Sequence, residues 1–572
     1  MKALFSGREI RPKMMTLRFI PIFLSIIFLN ACNKPVNCID ADGLIYNTKV
    51  YTANDNYPEA EAIAFKNKNI IFVGNNEEAQ AYKCGDTSLL DLQGSFVYPG
   101  FIDAHVHVKG IGYRELNLNL QGIDSLKEML TVVEIYSNSR NPGDWIVGRG
   151  WIEKNWPEAR FPTIQELDRF SKDRPVVLER ADGHAVIVNS YALNLAGINS
   201  ATQDPQGGAI NKDENGNPTG LLVDKASLLV EKLIPKNSLD QDKEALEIAI
   251  NKSVKLGWTQ LHDAGSSYSD FEILEEIKSE GNLNTRIQFY VSDGPDAVRM
   301  LNEGVKIDPD HMLSARGIKL YADGAIGSRG AAFLEKYHDY DTSGFLIFEK
   351  EKTMPKLIEA LKKGIQIETH AIGDKGNKIT LDWYEEAFNL VSKDDRLIED
   401  PRWRIEHAQN IQSEDQLRYK EMNVIASMQP SHAIGDLHFA EKRLGLERLK
   451  NAYVWRSLLN QGVVVVGGSD APVEIGDPRI EFKAAIGRKD LDGFYGEGWH
   501  LEEAVERQDA LKMFTKWASY SVFEEDIKGT IEIGKLADFT IFSKDLMTIP
   551  EEDIMSSEVQ MTIVGGQVVY SR

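Results

Sequence analysis

Cysteine is scarce in this chain: three in 572 residues, at positions 32, 38 and 84. So few exclude a fold stapled together by disulfides. Positive charge is short as well, with Lys+Arg 65 against Asp+Glu 87, a net of −22. There is no long basic run. Phosphate binding needs clustered positive charge, so nucleic acid is not an expected partner. Fixed-period repeats, low-complexity tracts and collagen or coiled-coil patterns are missing too. One apolar run stands near the N-terminus, Phe19 to Leu29, and it is too short to cross a bilayer as a stable helix. What is there is ordinary for a globular protein: 42% hydrophobic and 27% charged residues. The length suits several domains or one large barrel with additions.

Residues 1–31 read as a secretion leader. Arg11, Lys13 and Arg18 precede the apolar run, which Pro21 interrupts, and the true start is Met1, Met14 or Met15. The run ends Leu29-Asn30-Ala31-Cys32. This resembles a bacterial lipobox, with Asn30 in place of the usual small or apolar residue. The resemblance implies acylation of Cys32, a short linker over 32–40, and an extracytoplasmic protein body held at a membrane. Cys38 and Cys84 are either two unrelated small residues or a disulfide, the latter if the chain lives outside the cytoplasm.

Residues 41–98 alternate short strands and turns, and a similar pattern returns over 526–572. The two ends are expected to pair into one β-sandwich. Between them, over 99–525, apolar strand-like runs alternate with helical patterns, which predicts a parallel sheet. Eight strand candidates end near His107, His262, Val291, Tyr321, His370, His407, Met428 and Asp470. The fold class is therefore α/β: a distorted (β/α)₈ barrel, a composite β-sandwich, and an insertion of about 120–245 after the first barrel strand. Chemistry in such barrels sits at the C-terminal strand ends, and polar residues cluster there. The insertion carries Trp151 and Trp156, expected to pack a lid over the mouth.

The organising stretch is Pro99-Gly100-Phe101-Ile102-Asp103-Ala104-His105-Val106-His107. Residues two apart in a strand share a face, about 7 Å apart, so His105 and His107 can converge on one ion. His370, His407 and Asp470 add imidazoles and a carboxylate at further strand ends, a donor set suited to Zn²⁺. A two-metal site also needs a bridging anion. Lys319, at the end of the fourth strand, can supply one if CO₂ converts its amine to a carbamate; its alternative is an ion pair with Asp323.

In this order, with Lys319-Leu320-Tyr321-Ala322-Asp323-Gly324, Thr369-His370-Ala371-Ile372-Gly373-Asp374, Arg404-Ile405-Glu406-His407-Ala408-Gln409, Met428-Gln429-Pro430-Ser431-His432 and Gly468-Ser469-Asp470-Ala471-Pro472-Val473, the pattern resembles the amidohydrolase superfamily. It is most similar to the YtcJ-like, amidohydrolase-3 branch that includes N-substituted formamide deformylase-like enzymes. The resemblance implies that His105, His107 and Asp470 hold one divalent metal and His370 and His407 another, bridged by carboxylated Lys319. It implies hydrolysis of a small non-peptide amide, N-formyl or N-acyl substrate, with Asp470 as general acid and base. His184, Arg329 and His432 are candidates for substrate contact, and His262 for a supporting place. The alternatives are a lactonase or other C–O hydrolase on the same site, and a non-catalytic binding lipoprotein. A homodimer is the default assembly.

Overall fold

The computed structural model describes residues 38–153, 156–181, 185–205, 208–495 and 499–572. The leader, Cys32 and His184 lie outside the described residues.

Eight parallel strands follow one another around a barrel: β1 Phe101–Val106, β2 Trp258–Ser266, β3 Arg286–Ser292, β4 Leu313–Tyr321, β5 Gln366–Ala371, β6 Arg404–His407, β7 Ile425–Met428 and β8 Val465–Gly467. All six residues of β1 are buried, as are all of β6, β7 and β8. Strands covered on both faces are apolar runs rather than alternations, which is why these segments stood out. β8 and β1 meet at the C-terminal end of the barrel. The Asp470 amide donates to the His105 carbonyl at 2.7 Å, and the His107 amide donates to the Ala471 carbonyl at 2.8 Å. Gly468 makes that approach possible, since a Cβ there would lie 2.5 Å from the His105 nitrogen.

The two chain ends share one six-stranded sheet. Phe96–Pro99 runs antiparallel to Phe539–Phe542, with Phe539 opposite Pro99. A four-stranded sheet built from residues 43–91 packs over it through Ile45, Ile63, Val97, Ile541 and Ile563. Cys38 and Cys84 are disulfide-bonded at the edge of this unit, closing the open alternative. The strand Phe96–Pro99 leads directly through Gly100 into β1, so the sandwich anchors the histidine strand. A second anchor is ionic. Arg286, at the start of β3, donates to Asp538 from Nε at 2.7 Å and from Nη2 at 2.9 Å. Both side chains are almost fully buried.

Between β1 and β2 lies a separate six-stranded sheet running from Leu118 to Asp224. Apolar clusters cover both of its faces. Trp151 and Trp156 are buried in one of them, each donating its indole N–H to a carbonyl, Leu178 and Ile123. The expected limit of the insertion near Ala245 falls inside the helix Leu239–Leu256, which belongs to the barrel instead. Ser238 and Gln241 form a capping box at its start and Gly257 ends it at φ 102°. Its buried Leu246, Ala249 and Ile250 join the barrel core.

The Arg286–Asp538 pair yields a direct expectation. Asp538→Ala leaves a buried guanidinium without its carboxylate and lowers unfolding free energy by roughly 3–5 kcal/mol. Urea unfolding followed by tryptophan fluorescence measures this, and a loss under about 1 kcal/mol would remove the pair from the joint.

Candidate metal centre

Six side chains expected from the motifs, His105, His107, Lys319, His370, His407 and Asp470, line one cavity of about 540 Å³ at the C-terminal strand ends. His105, Lys319, His370 and His407 stand on the strands themselves, and His107 and Asp470 on the segments that follow β1 and β8. Two of these residues carry left-handed backbone, His407 at φ 69° and Asp470 at φ 57°. Such conformations cost about 1–3 kcal/mol each and persist where surrounding structure enforces them. Ser469 supplies part of that enforcement, donating from its amide and hydroxyl to the buried carboxylate of Asp103 at 2.8 and 2.6 Å.

Asp470 is the hub. Its Oδ1 lies 3.0 Å from His107 Nε2 and 3.5 Å from His105 Nε2, and its Oδ2 lies 3.0 Å from His432 Nε2. The Oδ1 atom is buried and has no hydrogen-bond donor. The rings of His370 and His407 approach to 4.4 Å between centroids, and those of His105 and His407 to 5.0 Å. Two ligand-like groups result: His105, His107 and Asp470, and His407, His432 and Asp470.

The unused ring nitrogens are fixed from behind. His105 Nδ1 contacts Glu406, whose other oxygen accepts from Arg404 Nε at 2.7 Å. His407 Nδ1 sits 2.8 Å from Gln429 Oε1. Partners on Nδ1 turn Nε2 toward the cavity, as the back side of metal-ligating histidines requires. Burial, then the Lys319 charge, lowers the His105 pKa to about 4 and that of His370 to about 3. Burial and neighbouring imidazoles push His407 well below the usual range. These rings are neutral at physiological pH, the form that binds a cation. Burial alone would raise Asp470, but the His107 and His432 imidazoles beside it outweigh burial and hold the carboxylate well below its usual range. Neutral imidazoles facing a donor-free carboxylate oxygen are a donor set that fits divalent metal.

Lys319 is buried with Nζ 3.2 Å from His105 Nε2. It does not pair with Asp323, whose carboxylate instead accepts from the amides of Ala332, Ile372 and Gly373 at 2.8–2.9 Å. Next to it in register stands Glu368, buried, with neither oxygen hydrogen-bonded and Arg404 3.5 Å away. Burial, then the Glu406 charge, raises the Glu368 pKa to about 8.

His432 joins the site, placed between Asp470 and Glu474, each at 3.0 Å. Burial would lower its pKa, but those two bonds raise it well above the usual value. Arg329 does not line the cavity. Its guanidinium is taken by Asp339 at 3.0 and 2.8 Å, and the same carboxylate holds Arg443, which does reach the wall. Arg329 braces its loop because Asp339 accepts from its Nε and Nη2. His262 lies deeper, against Gln260 and Arg404. The insertion contributes Arg149, Ile152, Arg180 and Ala181 to the cavity wall, so it does cover the mouth.

Motif reading passed over Glu406, Gln429, Glu474 and Arg443. The one available signal was Arg404 and Glu406 at alternate positions of a short strand, which period two aims together into the barrel. Glu406→Gln removes the charge behind His105 and is expected to weaken metal affinity about 10–100-fold. Competition with a chromogenic chelator reads this out; unchanged affinity would make Glu406 a packing residue only.

The amidohydrolase family profile matches residues 88–570. The protein named amidohydrolase YtcJ of Bacillus subtilis is 32% identical over 91% of this chain and 98% of its own length. N-substituted formamide deformylase of Arthrobacter pascens is 27% identical over 93% of this chain and 98% of its own. The crystal structure of a metal-dependent hydrolase from Pyrococcus furiosus superposes with a TM-score of 0.71 at 26% identity, covering 88% of this chain and 100% of that one. On the profile match and these likenesses, the chain belongs to the amidohydrolase family and is a metal-dependent hydrolase.

Proposed function

We propose that this hydrolase cleaves a non-peptide carbon–nitrogen bond in a small amide, N-formyl or N-acyl substrate. The observation that carries the reading is the buried Asp470 carboxylate, with His107 3.0 Å from one oxygen and His432 3.0 Å from the other, inside a cavity of small-molecule size. The sequence relative named as a formamide deformylase supports the bond type.

His105, His107 and Asp470 would hold one divalent metal, and His370 and His407 a second. The nitrogen-rich donor set favours Zn²⁺. Lys319 has no carboxylate within ion-pair reach among the described residues, and a carbamate on its Nζ would give the centre its bridging anion. Bound there, a divalent cation makes water acidic enough to attack near neutral pH and polarises a carbonyl. Asp470 accepts the proton from the attacking water and returns it to the leaving nitrogen. His432, fixed by Glu474, holds the Asp470 carboxylate in line for both transfers. The insertion's Arg149, Ile152 and Ala181 close the wall and limit access of bulk water.

Elemental analysis of protein lacking residues 1–32, beside Lys319→Ala and Asp470→Asn, tests this. About two metals per chain are expected, fewer in Lys319→Ala, with amide turnover in Asp470→Asn down by roughly 10²–10⁴. One metal in both the parent and Lys319→Ala overturns the bridging role. Turnover of esters or lactones but of no amide moves the assignment to C–O bonds.

We further propose that Cys32 is acylated and holds the protein at the extracytoplasmic face of a bacterial membrane. The Cys38–Cys84 disulfide supports that compartment, since such bonds persist where conditions are oxidising. Cys32→Ala is expected to move the full chain from the detergent phase to the aqueous phase on Triton X-114 partition. Equal partition of both proteins would dismiss the anchor.

A further inference from the structure

One fully buried acid near the metal centre has no part in the chemistry described so far. Glu481 stands on the helix Pro478–Gly487 with none of its surface exposed. Among the described residues it has no ion-pair partner. Its Oε1 has no hydrogen-bond partner, and its Oε2 accepts from the amide of Ser431 at 3.0 Å. A buried acid without a counter-charge is costly to keep, and an apolar side chain of its size is often the more stable choice. Burial outweighs the bond from Ser431 and, with the charges of Glu474 and Asp103 nearby, pushes the carboxyl well above its usual range. Glu481 is therefore a neutral acid at physiological pH.

What this acid does follows from the turn it touches. After β7 the chain runs Met428-Gln429-Pro430-Ser431-His432 into the helix Pro430–Asp436. The first amides of a helix have no partner inside it. Gln429 precedes this one, but its side chain makes no cap; its Oε1 lies 2.8 Å from His407 Nδ1. Pro430 has no N–H to satisfy. The His432 amide donates to the Gln429 carbonyl at 3.1 Å. The Ser431 amide is left, and Glu481 takes it from 50 residues away in sequence.

That amide lies between two working side chains. Gln429, just before Pro430, backs the ring of His407, and His432, directly after Ser431, meets Asp470 Oδ2 at 3.0 Å. The helix bearing Glu481 is a firm base. Its Phe482, Ala484 and Ala485 belong to the barrel core, and Asp477 caps its start by accepting from the Arg479 amide at 2.9 Å. We propose that Glu481 is a positioning residue of the metal centre, which by accepting from the Ser431 amide fixes the turn that aims Gln429 at His407 and His432 at Asp470. Only its kinetic test rests on the amide-hydrolysing reading.

Three variants of the metal-loaded enzyme test this, with N-butylformamide as substrate. Glu481→Met keeps the bulk and removes the acceptor. Glu481→Gln keeps a neutral acceptor of the same shape, and Glu481→Asp draws the oxygen back by one methylene. Near-UV circular dichroism and elemental analysis establish that each is folded and loaded. Glu481→Met is expected to lose about 10–100-fold in kcat with KM unchanged, the mark of a group that acts on the transition state. Glu481→Gln should return kcat to near the parent value, and Glu481→Asp should fall between the two. The visible d–d absorption of Co²⁺-loaded protein reads ligand geometry without turnover; it should change in Glu481→Met and be restored in Glu481→Gln. Parent kcat and parent spectrum in Glu481→Met, or equal losses in Glu481→Met and Glu481→Gln, overturn the proposal. Where Glu481→Met does not fold, Glu481→Asp decides, and parent kcat with the parent spectrum there overturns it. If the parent turns over no amide, the amide reading fails separately and the cobalt spectra decide alone.

Discussion

Asp470 meets His107 because the barrel closes. Two backbone hydrogen bonds, from the Asp470 amide to His105 and from the His107 amide to Ala471, tie the turn after the last strand to the end of the first. The Asp103 carboxylate adds a side-chain clasp by accepting from both the amide and the hydroxyl of Ser469. Nothing in either segment alone would bring a carboxylate to the imidazoles. Gly468 lets the chain pass against His105, and the left-handed backbone of Asp470 turns its side chain inward. The rest of the molecule serves that seam. The sandwich grips the strand that becomes β1, the Arg286–Asp538 pair locks the sandwich to the barrel floor, and the inserted sheet covers the mouth.

Below the metal centre the barrel is polar. Arg404 lies between Glu406 and Glu368 with no exposed surface on any of the three side chains. Such a group costs desolvation, and its contribution to stability is small at best. Its value lies in orientation. Glu406 fixes the His105 ring while Arg404 keeps Glu406 ionised against burial. The neutral state of the histidines has the same origin, because a water-poor interior disfavours imidazolium. Burial that would weaken an ordinary surface site here prepares ligands for a cation. His432 is the exception, kept charged by two carboxylates that flank it.

Covering by the insertion has a second consequence. Its sheet does not seal the mouth flatly but leaves a chamber along the side where His107 and Asp470 emerge. Arg149, Ala181 and Val473 line both spaces, two of them from the insertion.

Much of this was legible without coordinates. Parallel strands buried on both faces are read as apolar runs, and a histidine or aspartate closing such a run marks the catalytic end of a barrel. Period two placed His105 and His107 on one face, and the repeated strand pattern at both termini foretold the shared sheet. All of these are local signals: a side chain's direction follows from its neighbours in sequence. Other features depended on which distant surfaces touch. Arg329 and Arg443 carry the same chemistry, and only packing decided that Arg329 would spend Nε and Nη2 on Asp339 away from the cavity while Arg443 reached its wall. Glu406 was one acid among many until the fold set it behind His105, 301 residues away in sequence. The helix Leu239–Leu256 went to the barrel because its apolar face matched a neighbour that no window of sequence contains. The sequence by itself determined the strands, the ligand types and the end of the barrel at which they gather. Tertiary structure alone decided the seam, the groups behind the ligands and the chamber beside them, because each is a contact between segments that local propensity does not relate.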